Sequence, residues 1–167
     1  MTEDLLVFDV GLQHLGLPVS QVREVLPRAT LTPLAGSPSS LAGLLRLRGG
    51  LLPVVDVGSR LGLLEGSPRI GQCIVVVSTA RADVGLLVDA ARGLISGESI
   101  GRANRASGPN RQVVRHVTLA SGEVVAILDS EAAIGDELTI FLAAVLPTDT
   151  SDSLTALAPD VRAAVEA

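Results

Sequence analysis

An apolar run ends in an aspartate at three places in the sequence, at Asp56, Asp89 and Asp129. Three converging carboxylates could bind a metal ion or exchange protons with a substrate. An aspartate at the end of a strand can instead cap the turn or helix that follows, because its side chain accepts otherwise unpaired backbone N–H groups. Capping explains why each aspartate stands at the end of its run, and we favour it over a metal or acid–base site.

The other residues that commonly carry chemistry are few and scattered. His14 lies in a turn and His116 in a strand-like run, and neither stands near cysteines or carboxylates at the spacing of metal ligands. Cys73, the single cysteine, lies in an apolar run typical of a core residue. The glycine-rich stretches fit neither a P-loop nor a dinucleotide fingerprint. We therefore predict a non-catalytic protein without metal or cofactor, and keep an enzyme on a β scaffold as an alternative.

Two arginines attract attention because they stand between apolar runs. On a strand, Arg46 and Arg48 would share one face. Such a pair is usually an ordinary solvated face, and composition alone favours that interpretation. The alternative is a docking arginine beside an apolar groove, where its guanidinium could bond to a partner's carboxylate or carbonyl.

Composition and charge exclude some classes of partner. The formal net charge is -5, and the chain has neither Trp nor Tyr. An acidic chain has no attraction for phosphate backbones, and without these aromatic residues it lacks stacking platforms, so we expect no nucleic acid partner. The first residues lack the features of a signal peptide, and no apolar run is long enough to span a membrane. We therefore expect a cytoplasmic protein that does not insert into membranes.

Short apolar runs separated by Gly, Pro and Ser predict eight to ten strands and an all-β fold of closed or stacked antiparallel sheets. The predicted strands cover residues 5–10, 15–19, 30–34, 44–47, 51–57, 70–78, 84–90, 113–119 and 123–128.

The segments between these runs have their own predicted conformations. Residues 20–26 suit a single helical turn, residues 97–111 a long exposed loop, and residues 131–146 a helix. Pro53 lies inside a predicted strand and cannot donate to a sheet ladder, which suggests an edge position or a bulge.

The end of the sequence reads as a polar linker followed by a short amphipathic segment. The linker covers residues 148–153, and apolar residues then recur at near-helical spacing: Leu154, Leu157, Val161 and Val165. The segment could dock as a short helix. A weakly helical tail is the favoured alternative, because short isolated helices are marginal.

A series of motifs then follows in one order along the chain. In residues 22–27, Glu24 stands between apolar residues. Residues 43–49 end in Leu-Arg-Gly, and residues 52–57 read Leu-Pro-Val-Val-Asp-Val. Residues 84–89 and 122–129 supply two more apolar strands that end in aspartate. Together with the opening hairpin at residues 5–18, these motifs resemble the CheW family of chemotaxis adaptors over residues 5–134.

The resemblance implies an all-β fold of two interleaved five-stranded SH3-like barrels with short connecting helices. It assigns residues 1–146 to this domain and leaves residues 147–167 as the linker and possible short helix. It also implies an adaptor that couples the regulatory domain of a CheA-type histidine kinase to the cytoplasmic tip of chemoreceptors. Such an adaptor would be cytoplasmic and would join membrane-associated receptor arrays through its partners.

Residue by residue, the resemblance implies two sets of contacts. The receptor-side candidates are Val22, Glu24, Gly43 and Arg48. Val22 could instead be a core-packing residue, and Gly43 could instead be needed for a close approach of the backbone. Each of these explanations is as good as a receptor contact. The kinase-side candidates, which are less securely placed, are Leu12, Leu17 and Val19.

The sequence departs from the family pattern at three points. Arg46 replaces the usual Asn, His116 stands where a Gly is common, and residues 130–134 are not Leu-rich. These departures bear on the choice of partner more than on the fold. They leave open an alternative function as a CheW-like scaffold in another two-component pathway, such as motility or development, with a different kinase.

Deleting residues 154–167 is expected to leave the barrels folded, because this segment follows a polar linker and lies outside the resemblance. Thermal unfolding of the truncated and full-length chains would check this. A loss of several kcal/mol, on the order of a core substitution, would show that the segment belongs to the fold.

Overall fold

The computed structural model describes residues 3–63, 71–105 and 113–145, and these contain eleven strands and three α-helices. In chain order the strands are β1 (Leu5–Val10), β2 (Gln13–Pro18), β3 (Val22–Pro27), β4 (Leu41–Leu47), β5 (Gly50–Asp56), β6 (Cys73–Ser78), β7 (Asp83–Val88), β8 (Ala90–Ile95), β9 (Ile100–Arg105), β10 (Val113–Leu119) and β11 (Val124–Leu128). The helices are α1 (Val57–Arg60), α2 (Ser130–Ile134) and α3 (Asp136–Val145), and 3₁₀ turns cover Val19–Gln21 and Gly97–Ser99.

The strands form two sheets that are interleaved along the chain. The first sheet has six strands in the order β8-β1-β2-β11-β10-β9, and the second has five in the order β3-β6-β7-β5-β4. The chain therefore begins in the first sheet, builds the whole of the second, and returns to complete the first. This confirms the predicted all-β fold of two interleaved barrel subdomains, with a sixth strand in the first sheet.

Central strands are apolar along their whole length because both of their faces are buried. In β6, Ile74 and Val76 pack inside the second barrel, whereas Cys73, Val75 and Val77 join a cluster shared by the two sheets. Strand β1 is divided in the same way between the shared cluster and the interior of the first barrel. Because successive side chains on a strand point to opposite faces, burial of both faces replaces alternation with an unbroken apolar run.

Two of the three strand-ending aspartates cap helices, as predicted. Asp56 Oδ1 accepts a hydrogen bond from the Ser59 N–H at 3.2 Å at the start of α1. Asp129 Oδ1 accepts one from the Glu131 N–H at 3.1 Å at the start of α2. Asp89 contradicts the capping prediction, because β8 begins at the next residue and no helix follows.

The helical turn predicted over residues 20–26 is wrong. The segment holds a 3₁₀ turn and then β3, an edge strand whose residues alternate between half-buried and exposed from Val22 to Pro27. Apolar residues spaced three and four apart suggested a helix, but pairing with β6 and the β-branched valines favour the extended chain.

Two other local predictions change in the structure. The strand predicted at residues 30–34 is reduced to a single bridge between Thr32 and Leu44. The loop predicted over residues 97–111 contains β9, an edge strand paired with β10, and residues 106–112 lie outside the described part of the chain. The exposed polar side chains of β9 gave its sequence the pattern of a loop. The segment can still form a strand, because pairing with β10 uses only backbone groups.

Pro53 lies on β5, which has β4 on one side and β7 on the other, so the predicted edge position is wrong. Its missing N–H is tolerated for a local reason. Leu44, its partner in β4, directs its own N–H and C=O to Thr32, and the pairing of β5 with β7 begins only at Val54. The proline therefore occupies a position at which no ladder bond is lost.

The helical segment predicted over residues 131–146 is observed as α2 and α3 through Val145. The predicted linker and amphipathic segment at residues 147–167 lie outside the described residues. Among the described helices, none is long and apolar enough to cross a membrane.

Substituting Gly85 tests how tightly the second barrel is packed. A Cβ there would lie 2.7 Å from Ile74 Cγ2 and 3.1 Å from Val54 Cγ2. Gly85→Ala is therefore expected to destabilise the protein by about 1–3 kcal/mol through overpacking. Gly50→Ala is the matched control, because the nearest atom to its new Cβ would be the Leu47 carbonyl oxygen at 3.6 Å. Equal denaturation midpoints for the two variants would contradict this packing argument.

Candidate functional site

Arg48 lies in the turn between β4 and β5 and reaches across to β3. Its two terminal nitrogens donate to the two carboxylate oxygens of Glu24, at 2.6 and 2.8 Å. The side chain of Arg48 is 71% exposed and that of Glu24 27% exposed. This two-point geometry is the strongest arrangement available to an arginine–carboxylate pair, and here a partner protein could approach it from solvent.

The ion pair affects the titration of both groups. The hydrogen bond from Arg48 holds the pKa of Glu24 below its ordinary value of 4.5, against a smaller opposing effect of desolvation. The same bond raises the pKa of Arg48. At neutral pH both groups are therefore charged.

The backbone of the β4–β5 turn fixes the direction of Arg48. Arg48 and Gly49 both have positive φ angles, 50° and 79°, between the paired residues Leu47 and Gly50. Two consecutive positive φ angles are typical of the type I′ turn that closes a two-residue hairpin. Because the turn interrupts strand alternation, Arg48 does not share a strand face with Arg46, and that prediction is wrong.

The other two receptor-side candidates occupy packed positions. Val22 is half-buried and packs against the shared apolar cluster. Gly43 is buried, and a Cβ there would lie 2.8 Å from the Thr32 carbonyl oxygen and 2.9 Å from the Leu31 Cβ. Both residues thus fix local backbone positions, and a direct role in receptor binding stays a prediction.

The three kinase-side candidates have very different exposures. Leu12 is 95% exposed at the tip of the β1–β2 turn, whereas Leu17 is 0% exposed and belongs to the shared cluster. Val19 is half-buried in the first 3₁₀ turn. Leu12 therefore offers a large apolar surface to a partner and Leu17 offers none. The apolar surface that Val19 offers is intermediate.

Asp89 holds the turn that carries Leu12. Its carboxylate accepts the Gly11 N–H at 2.6 Å, and its backbone N–H donates to the Asp9 carbonyl at 2.9 Å. The aspartate predicted to cap a helix thus positions an exposed turn 78 residues away along the chain.

A charged cluster on the first sheet was not predicted from the sequence. His14 Nδ1 lies 2.7 Å from Asp9 Oδ1, and its Nε2 lies 3.9 Å from Glu123 Oε1. Arg92 joins them, with its terminal nitrogen 3.0 Å from Glu123 Oε1. These residues come from four strands or their ends, so their spacing in the sequence carries no signal of the cluster.

The remaining candidates for chemistry form no site. Cys73 is buried in the shared cluster, as predicted for a core residue, and burial raises the pKa of its thiol. His116 is exposed on β10. Within the described part of the chain, no group of three His, Cys, Asp or Glu side chains is arranged to hold a metal ion.

Two depressions flank Arg48 on the second barrel. The first, called here the α3 groove, has a volume of about 360 Å³ and is mainly apolar. The second, the Glu24 depression, has a volume of about 350 Å³ and is largely charged. The two share the lining residues Leu47, Arg48, Leu52 and Asp83.

Glu131 positions the loop at the rim of the α3 groove. Its carboxylate accepts the Ala80 N–H at 2.6 Å and so attaches the β6–β7 loop to the first turn of α2. Glu131 lies in the segment that departs from the Leu-rich pattern, and that departure was the only sequence signal of this role.

A model of the CheW-like domain family matches residues 4–138. The chain belongs to the CheW-like domain family. The chemotaxis protein CheW of Rhizobium meliloti (strain 1021) is 30% identical over 137 residues, which cover 80% of this chain and 88% of that protein. Protein FrzA of Myxococcus xanthus is 41% identical over 69 residues, which cover 41% of this chain and 42% of that protein.

The crystal structure of the scaffolding protein TtCheW from Thermoanaerobacter tengcongensis has the same fold. It superposes with a TM-score of 0.73 at 22% sequence identity, over 83% of this chain and 96% of that one. The CheW family consists of non-catalytic scaffolds, and this chain is a chemotaxis signal-transduction adaptor of that family.

The Glu24–Arg48 pair should contribute to stability in a pH-dependent way. Because folding lowers the pKa of Glu24, its contribution is complete above the unfolded value near 4.5 and is lost as pH falls through the lower folded value. Glu24→Gln is expected to lower the Tm slightly at pH 7, and the difference from the parent should vanish in strong acid.

Glu98→Gln is the control, since the Glu98 carboxylate makes no ion pair within the described residues. A Tm difference for Glu24→Gln that persists unchanged at pH 2 would show that the carboxylate charge does not supply this stability.

Proposed function

We propose that this CheW-like chain couples the regulatory domain of a CheA-type histidine kinase to the cytoplasmic tip of chemoreceptors. The observation that carries the receptor side is the exposed Glu24–Arg48 pair, which stands between the apolar α3 groove and the Glu24 depression. An arginine at the border of an apolar surface is a common centre of protein interfaces.

The pair prepares Arg48 for a partner. Glu24 holds the guanidinium in one orientation before binding, so less side-chain freedom is lost when the partner arrives. A carboxylate on the receptor tip could then share or replace the bonds that Glu24 makes. Val22 and Gly43 would support this surface by fixing the backbones of β3 and β4.

The kinase side is proposed at the β1–β2 turn. Leu12 is 95% exposed there, and Asp89, between β7 and β8, fixes the turn. An exposed leucine on a fixed turn suits insertion into an apolar pocket of another folded domain. Val19 extends this surface, and Leu17 supports it from within the core.

We also propose that the chain works without catalysis or cofactor and joins membrane-associated receptor arrays through its partners. The match to FrzA over part of the chain supports a second candidate, a CheW-like scaffold in another two-component pathway. Co-purification from native cells, with the kinase and receptors identified, separates the two candidates.

Reversing the charge of Arg48 tests the receptor side. Arg48→Glu is expected to weaken binding to a receptor-tip fragment by about 2 kcal/mol or more, which is about thirtyfold, as for an interface hot spot. The Tm should barely change, because exposed ion pairs contribute little to stability. Arg46→Glu makes the same charge change at an exposed position of the same hairpin and should leave the affinity nearly unchanged.

The double variant Glu24→Arg/Arg48→Glu separates binding from structure. It restores an ion pair but removes the arginine from the turn, so affinity should stay low if Arg48 contacts the receptor. Recovery of affinity in the double variant would show that only the ion pair matters. Unchanged affinity in Arg48→Glu would remove this residue from the receptor surface.

A further inference from the structure

The wall between the α3 groove and the Glu24 depression carries one charge of each sign. The two depressions share two leucines and two charged residues, and the charged residues are Arg48 and Asp83. The rim of the α3 groove is balanced in the same way, because it adds one arginine and one glutamate, Arg81 and Glu131. An occupant that lies across the wall therefore meets a cation and an anion together.

Each charge on the wall has a partner on β3. Glu24 binds Arg48, and Arg23 Nη1 lies 3.2 Å from Asp83 Oδ2. Arg23 and Glu24 follow one another in the sequence, yet both line the Glu24 depression. The pairing of β3 with β6 changes register between Val22 and Glu24, and such an irregularity redirects a side chain from strict alternation. One edge strand thus supplies a partner of opposite sign to each charge on the wall.

The two ion pairs differ in how fully they use their carboxylates. Both oxygens of Glu24 accept hydrogen bonds from Arg48, whereas Arg23 donates one hydrogen bond to Asp83 Oδ2. The other oxygen, Asp83 Oδ1, accepts a long hydrogen bond of 3.4 Å from the Ser78 hydroxyl. The Asp83 side chain is 39% exposed, and a carboxylate offers about four acceptor positions. Asp83 therefore keeps acceptor positions that a second cation could use.

The bond between Arg23 and Asp83 can also be exchanged at little cost. Both side chains reach solvent, and exposed ion pairs are weak because water screens the charges and long side chains lose freedom when they are held. Arg23 Nε donates to the Ser78 hydroxyl at 2.9 Å, so the arginine keeps a partner if Asp83 turns to another cation. Release of Asp83 therefore leaves no buried charge without solvation.

Apolar surface accompanies each charge on the wall. Leu47 precedes Arg48 at the β4–β5 turn, and Leu52 lies on β5. Strands β5 and β7 pair in parallel, which places Leu52 and Asp83 at the same end of the two strands. Apolar contacts that exclude water strengthen neighbouring ion pairs, so a partner that covers these leucines would make both charges more selective.

We propose that Asp83 is a second specificity-determining residue of the receptor surface and that its carboxylate binds a cationic side chain of the receptor tip. The tip then presents both signs, a carboxylate to Arg48 and a lysine or arginine to Asp83, and places an apolar side chain on Leu47 and Leu52. This inference rests on the proposed function, because the partner is the receptor tip. A tip with only acidic groups at this surface would place a like charge opposite Asp83 and would bind poorly.

The affinity of a receptor-tip fragment for Asp83→Asn tests the proposal. This variant removes the charge but keeps an acceptor for the Ser78 hydroxyl, and the affinity should fall about tenfold. Glu123→Gln is the matched control, because it removes the charge from an exposed ion pair of similar length on the first sheet, 3.0 Å to Arg92. The control should keep the parent affinity, and both variants should keep a Tm close to that of the parent. Unchanged affinity in Asp83→Asn, or equal losses in the two variants, would overturn the proposal.

Arg23→Gln separates recognition by Asp83 from a structural role of its ion pair. It breaks the same pair but leaves the Asp83 carboxylate available to the partner, so the affinity should stay equal to that of the parent or rise. A loss as large as that of Asp83→Asn would show that the ion pair acts only on the shape of the adaptor. That result would overturn the proposal.

Charge reversal on both proteins identifies the cation. Asp83→Lys should bind the fragment poorly, and the lysines and arginines of the fragment are then changed to glutamate one at a time. Reversal at one position should restore the affinity for Asp83→Lys about tenfold and weaken binding to the parent, as expected of two residues in contact. Recovery at none of the positions would contradict a direct contact with Asp83.

The Arg48→Glu variant distinguishes failure of this inference from failure of the proposed function. If the parent binds the fragment and Arg48→Glu weakens binding while the Asp83 variants do not, the inference alone is wrong. A fragment that does not bind the parent would contradict the proposed function itself.

Discussion

The structure depends on one layer of apolar side chains that the two sheets share. Phe8 and Leu17 enter it from the first sheet, Val75 and Leu86 from the second, and Leu138 of α3 packs against its edge. Strands β1 and β6 are buried on both faces, so separating the barrels would expose a large apolar surface on each. The shared layer therefore holds the barrels in one fixed arrangement. A fixed arrangement suits an adaptor, because surfaces on different barrels keep their relative position without loss of freedom on binding.

The proposed contact sites lie on turns and loops around that layer, and a carboxylate from another part of the chain holds each of them. Asp89 holds the turn that carries Leu12, and Glu131 holds the β6–β7 loop at the α3 groove. Glu24 similarly orients Arg48. The core alone would leave these connections free to move. The hydrogen bonds of Asp89, Glu131 and Glu24 convert them into defined surfaces.

The fold could be predicted from the sequence because its strands and turns have local signatures. Apolar runs located most strands, whereas the two interleaved barrels were implied only by the resemblance to the CheW family that the ordered motifs carry. The errors occur where tertiary pairing overrides local pattern. Residues 20–26 have helical spacing but pair with β6, and β9 has the polar composition of a loop but pairs with β10. The motif around Arg48 was visible in the sequence, whereas its bond to Glu24 required knowledge that β3 lies beside the β4–β5 turn. The cluster around His14 and Arg92 was invisible for the same reason, since its members come from separate strands.

The exposure of the Glu24–Arg48 pair has consequences for how an adaptor can exchange partners. A buried ion pair would be costly to break, because removal of one charge leaves the other without solvation. An exposed pair contributes little to folding, so its bonds can be passed to a partner's carboxylate with little change in the stability of the adaptor. In the receptor interface that we propose, affinity would come from the neighbouring apolar groove, and the ion pair would select which partner fits it. In the array that we propose, several such contacts on one adaptor would sum.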